Sequence, residues 1–298
     1  MSAPDLAMTA TLSLALTVSP QAELPLPAEV LMLALAESPF LRLAAEGEVA
    51  DITIQAEANQ VYRLQRPGDS VAMAAFRIPV KRARALPLKL QRILEQVAVF
   101  GAIAALTPPS DVLSSVLRTE FLQLVEPATR QSEPGVAPLV RSEAEAVQIK
   151  SGQWLAITLT NLTDAPLFAY VVVMDPRQQA VTLVYPYTPD MPARIRPGET
   201  IVVGSGPRYL IEMGLPEGQT QATDIFKLWV SGQSIQPAVL ELPSLGQPYE
   251  PSTDPYGSGS RLDRDLRRLI TGKSGMTPLP SFETDPWWCQ SQSVEILA

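Results

Sequence analysis

The stretch "LFAYVVVMDPRQQAVTLVYP", residues 167–186, decides the fold. Two apolar runs flank a short polar turn. Positions 167–174 are apolar throughout, so both faces of this run are destined for burial, as in a strand lying centrally between two covering layers. Asp175 and Pro176 supply the turn, with Asp suited to the first position and Pro, its φ pre-set, to the second. The stretch therefore reads as a hairpin at the centre of a β-rich unit.

The flanking sequence extends this unit in both directions. "WLAITLTN" (154–161) alternates, with Leu155, Ile157 and Leu159 on one face and Trp154, Ala156, Thr158 and Thr160 on the other, the pattern of a strand buried on one side. After the hairpin, "YPYTPDMPARIRPGE" (185–199) reads as a long loop. Pro197-Gly198 fits the centre of a type II turn before the strand "TIVVG", and "TDIFKLWVS" (223–231) is one more strand. Together these predict an antiparallel β-sandwich-like domain over 139–242.

Towards the N-terminus, 9–18 alternates as a strand and 27–38 begins a helix with Pro27 at its first position. Segments 50–57, 60–65 and 70–78 read as a strand meander with "RPGD" as a turn. Apolar residues over 85–106 recur at helical spacing, and 116–125 is a further strand. Residues 1–125 therefore read as a mixed strand/helix domain, and the polar, Pro- and Gly-bearing segments 126–138 and 243–260 as linkers. In the C-terminal part, 261–298, Ser260 and Asp263 make a capping-box-like start to the helix "RLDRDLRRLI". "QSVEILA" then closes the chain as a strand that must pair upstream. The predicted class is α+β, β-rich.

Composition narrows the function. The chain has 298 residues, 29 of them proline, which argues against long helices throughout. The net charge is −8 and both halves are acidic, which argues against nucleic acid as a partner. A single cysteine, Cys289, permits neither an intramolecular disulfide nor a Cys-rich metal site, and suits a reducing, cytoplasmic setting. The N-terminus lacks the positive region of a secretory signal, and the apolar run 97–106 is well short of the ~20 residues of a membrane span, so no membrane insertion is expected.

The chain contains no histidine. A Ser-His-Asp triad, a Cys-His dyad and any His-ligated metal are thereby excluded, and no catalytic residue, cofactor or metal is expected. "ITGKSG" (270–275) ends like a phosphate-binding loop, but its first glycine would fall on Arg267 and the stretch follows a helix; Gly272 reads as a helix C-cap. Cys289, in "PWWCQ", reads as a buried thiol. "KRARALPLKLQR" (81–92) reads as solvated charges over an apolar face, with partner binding as the alternative. "NLT" (161–163) is a formal glycosylation sequon that reads as a turn. In the loop after the hairpin, Tyr185, Tyr187, Arg194 and Arg196 are residue types that dominate binding hot spots, and they form the candidate binding set; a merely structural crossover is the competing reading.

The order of features over 148–235 resembles the small β domain of unknown function that follows the peptidase domain in bacterial, chiefly cyanobacterial, caspase-like proteins. The features are a strand ending in Asn161, the aromatic/Val strand, the Asp175 turn, the strand into Tyr185-Pro186, the Pro197-Gly198 turn, and Glu217-Gly218 before the last strand. "VADITIQAEANQVYRL", the helix "LPLKLQRILEQVAVFGAIAAL" and "WWCQSQSVEILA" are similar to neighbouring regions of the same proteins. The family's catalytic segments have no counterpart here. The resemblance implies a non-catalytic accessory, regulatory or binding region acting with a caspase-like peptidase domain in cis or in trans. The alternatives are a self-assembling structural or surface-interaction protein and, in third place, a carboxylate-based enzyme.

Overall fold

The computed structural model describes residues 11–20, 22, 24, 26–69, 72–106, 108, 113–129, 132–188, 191–247, 260–271 and 287–298. The first half runs β1 (Leu12–Val18), α1 (Ala28–Leu35), β2 (Leu41–Leu43), β3 (Ile52–Glu57), β4 (Val61–Gln65), β5 (Ala74–Arg77), a 3-10 segment (Val80–Ala85) and α2 (Leu86–Ala105), then α3 (Leu113–Val116), β6 (Leu117–Glu126) and β7 (Gly135–Pro138). It continues as β8 (Val140–Arg141), β9 (Val147–Lys150), β10 (Trp154–Asn161), β11 (Leu167–Asp175), β12 (Ala180–Tyr185), β13 (Arg194–Ile195), β14 (Thr200–Val203), β15 (Ile211–Glu212) and β16 (Gln221–Ser231). A 3-10 turn (Pro237–Leu240), α4 (Arg261–Thr271) and β17 (Trp287–Leu297) complete it.

The fold is α+β and β-rich, with three sheets among the described residues. The N-terminal sheet has the order β2-β1-β3-β4-β5, with β1 parallel to both its neighbours. The outer sheet is β14-β10-β6-β7, with β15 also on β10. The central sheet is β12-β11-β16-β17-β9-β8, with β13 also on β11. Outer and central sheets form the sandwich, antiparallel except where β17 runs parallel to β9.

Alternation along β11 shows why it is apolar on both sides. Ala169 and Val171 enter the core against the outer sheet, with Phe226, Leu228, Leu155, Ile157 and Leu159. Tyr170, Val172 and Met174 enter a second core with Trp229 and Trp287, shared with α1, α2, α4 and the N-terminal sheet. The central sheet is thus covered on both faces. Gln96 through Phe100 on α2 are all buried, so the helix is enclosed all round at that turn, as a layer between two sheets requires.

Two devices join the helical layer to the central sheet. Lys227, on β16, is 1% exposed and points from the face that also carries Ile225 and Trp229. Its Nζ donates to the carbonyl oxygens of Ile103, Ala104 and Leu106 at 2.7, 2.9 and 2.8 Å, capping the end of α2, whose last carbonyls have no intrahelical donor. Burial pushes Lys227 down to about 8, so at neutral pH it keeps the proton that a third carbonyl needs. On α4, Ser260 Oγ accepts the N–H of Asp263 at 3.0 Å, the expected cap. The buried Asp263–Arg267 pair, 2.7 Å apart, reaches Gln236 through Arg267 Nη2. Trp287 Nε1 donates to Asp265.

The layers cut across the sequence segments. β6, grouped by the sequence with 1–125, pairs with β10 from Leu117↔Asn161 to Leu124↔Trp154 and belongs to the sandwich. The segment read as the linker 126–138 ends in β7, which pairs with β6. In the second linker, Leu245 N donates to Gln178 O, while 248–259 lie outside the described residues, as does the expected cap at Gly272. The closing strand pairs along its whole length with β16. No helix among the described residues is long and apolar enough to cross a membrane.

Lys227→Met keeps the apolar stem but leaves Ile103 O and Ala104 O without their donor and Leu106 O with the Cys289 thiol alone. We expect a loss of about 3 kcal/mol in urea unfolding, with hydrogen bonds to a charged group each contributing about 1.5–3 kcal/mol before the relief of desolvation is subtracted. An unchanged midpoint would mean that water caps α2.

Candidate binding surface

The loop after the hairpin is anchored from below by Asn161. This residue is fully buried at the end of β10. Its Nδ2 donates to Ala165 O and Ile195 O at 2.8 and 3.1 Å, while Oδ1 accepts the Thr163 N–H and hydroxyl at 2.9 and 2.8 Å. The Asn161 backbone also accepts Gly198 N–H at the Pro197-Gly198 turn, where Gly198 has φ +70°. The sequon is therefore a turn whose amide nitrogen is fully engaged, and through Ile195 it fixes β13.

On this base the four sequence candidates separate. Tyr185 is 4% exposed, and burial pushes its hydroxyl up to about 12. Tyr187 is half-buried and meets Tyr185 edge-on, with ring centroids 5.6 Å apart. Its hydroxyl accepts Gly204 N–H at 3.0 Å and lies 3.5 Å from Val202 O. Gly204 sits at φ +80°, where a Cβ would stand 2.7 Å from Leu155 O, so the chain passes this close to β10 only because the residue is glycine. Arg194 and Arg196 are exposed on either side of the fully buried Ile195. The tyrosines brace the loop and the arginines face solvent; the four do not make one presented set.

The aromatic residue that the sequence reading missed is Tyr209. It stacks on Tyr187 at 4.2 Å with an interplanar angle of 8°, is 42% exposed and follows the exposed Arg208. The ladder Tyr185, Tyr187, Tyr209 leads from the core to the surface and holds its outermost ring rigid, the form an anchor takes. Tyr209 lies in "GPRYL", an irregular segment without strand periodicity, so no pattern pointed to it.

Other groups with chemical interest are structurally committed. Cys289 is half-buried; its thiol donates to Leu106 O at 3.4 Å, and burial pushes its pKa up against the opposing pull of Lys227. Asp175 and Asp224 are bridged by Arg177, each 3.1 Å from it, and burial raises Asp224. Among the described residues no group of three potential ligands could hold a metal ion. A cavity of about 560 Å³ opens at the carboxyl ends of β1 and β3, lined by Thr17, Ser19, Gln55, Glu57 and Asn59, with Glu57 paired to Arg63. No protein-family model, no curated protein and no solved structure matches the chain.

Tyr187→Phe should cost about 1–2 kcal/mol, because the Gly204 N–H loses its acceptor in a half-buried site. The double variant Arg194→Ala/Arg196→Ala should stay within about 0.5 kcal/mol per site. Thermal melts of the two decide whether tyrosines and arginines divide as described.

Proposed function

We propose that the chain is a non-catalytic accessory region that binds a protein partner, and that the partner is a caspase-like peptidase domain, carried in cis or in trans, in the cytoplasm. The observation that carries the non-catalytic part is the state of Cys289. The sole thiol of a histidine-free chain faces the helical layer, donates to a helix-end carbonyl and is held in its protonated form. A nucleophilic cysteine needs the opposite environment, which lowers its pKa and presents the thiolate. The partner assignment rests on the order of features over 148–235, whose strands make up most of the sandwich. The ladder ending in Tyr209 gives such a module a rigid contact point.

A second reading, self-association, draws on the solvent side of the outer sheet. Strand alternation places Leu122, Trp154, Val202 and the exposed Val136 there, on the side away from the sandwich core. The exposed Arg118 and Glu120 lie on the same side, and an apolar patch bordered by charges suits a second copy.

Three measurements test the proposal. Alkylation of Cys289 by iodoacetamide at pH 8 should be at least about tenfold slower in the folded chain than in urea, since a raised pKa and a committed hydrogen bond both deplete the thiolate. Cys289-dependent turnover of Arg-, Lys- or Asp-directed peptides, lost in Cys289→Ala, would overturn the non-catalytic reading. Tagged chain should copurify with a caspase-like peptidase domain, and Tyr209→Ala should weaken that capture by about 2 kcal/mol with little change in melting temperature. Self-association without any peptidase partner would shift support to the second reading.

A further inference from the structure

Between Ser70 and Leu94 the chain carries six cations, Arg77, Lys81, Arg82, Arg84, Lys89 and Arg92, and no carboxylate; the rest of the chain carries 17 cations against 31 carboxylates. Arg77, Arg82, Arg84, Lys89 and Arg92 are exposed. None of these five enters an ion pair among the described residues, whereas Arg42, Arg63, Arg141, Arg177 and Arg267 all do. In a strongly acidic protein, cations gathered in one place without an ion-pair partner among the described residues are mutually repulsive, and an anionic partner relieves that repulsion.

Their place in the fold is specific. β5 is the outermost strand on its side of the N-terminal sheet, paired only with β4 among the described residues. Its far edge presents backbone N–H and C=O groups, a template on which another strand can form. The 3-10 segment bearing Arg82 and Arg84 follows β5 after two residues, and α2 follows that segment. Lys89, in the first turn of α2, lies 4.7 Å from the ring centroid of Phe76 on β5, so helix start and strand edge are adjacent. Leu88, next to it, is 53% exposed and adds an apolar contact.

We propose that the β5 edge and this basic rim together receive an extended acidic segment of a protein partner, which adds as a sixth strand to the five-stranded N-terminal sheet. The two features select one ligand: the edge requires a peptide backbone and the rim requires carboxylates. A membrane surface or a nucleic acid would satisfy the charges alone, and the acidic remainder of the chain repels any large polyanion. Four edge residues at about 3.3 Å each give a footprint of about 13 Å, enough for a segment of four to six residues. Edge cations also serve to prevent self-pairing, a role that calls for no acidic ligand. The site is separate from the Tyr209 surface and does not depend on the peptidase reading.

The test uses the whole chain and a fluorescein-labelled peptide of about ten residues alternating Glu and Val, with two further versions N-methylated at the odd or at the even residues. Strand addition predicts binding that weakens about tenfold between about 50 and 300 mM salt. One N-methylated peptide should lose at least about tenfold in affinity, because its methyl groups face the edge, while the other binds like the parent. Arg82→Gln/Arg84→Gln should lower affinity at least about fivefold at an unchanged melting temperature. Equal binding of all three peptides would show charge attraction without strand addition and overturn the proposal. So would binding of phosphatidylserine vesicles or single-stranded DNA with no binding of the peptide.

Discussion

Three carbonyl oxygens at the end of α2 accept from the ammonium of Lys227, which comes from the middle of the central sheet, and one of them, Leu106 O, also accepts from the Cys289 thiol. An uncapped helix end inside a protein leaves desolvated carbonyls, and a buried ammonium without acceptors is worse still. Each group makes the other tolerable. The arrangement forces the C-terminal end of α2 to sit over β16, beside Trp229, whose ring lies 5.6 Å from the ammonium, and Cys289 on the next strand. Sheet and helix are therefore fixed in register by a polar contact as well as by shape.

The rest of the architecture follows from a central sheet with two apolar faces. One face is covered by the outer sheet and the other by the helical layer with the N-terminal sheet behind it. β17, the last strand, pairs with β16 and with β9, so the end of the chain completes the sheet that the hairpin begins. Such an enclosed core leaves contact with partners to edges, loop ends and outward faces. The Tyr209 ladder, the β5 edge with its basic rim and the apolar patch on the outer sheet are three regions of that kind, each of different chemistry.

Much of this was legible in the sequence, for identifiable reasons. Period-two alternation marked β1 and β10, "TDIFKLWVS" read as one more strand where β16 lies, the run of apolar residues marked β11 as central, and Ser260 marked the start of α4. Three things escaped. The short strands β2, β8, β13 and β15 are two or three residues long and exist through their partners, so no periodicity announces them. β6 alternates like any strand, but only pairing assigns it to the sandwich. Lys227 sits in "IFKLWVS" as a charge inside an apolar strand, which reads as a solvent-facing position until α2 ends above it. Within the candidate site, Tyr185 and Tyr187 were visible by residue type, but burial decides their role, and the partner of the Tyr187 hydroxyl, Gly204, lies at a distance in the chain.

The helical layer and the central sheet form one cooperative unit held through Lys227. Native-state amide hydrogen exchange tests it most directly. The slowest-exchanging amides of α2, over 93–103, and those of β11 and β16 should open with the same free energy and show the same denaturant dependence, as members of one unit. If α2 instead exchanged through an opening several kcal/mol cheaper, with β11 and β16 still protected, the helix would be an appendage to an independently stable sandwich and the account would be contradicted.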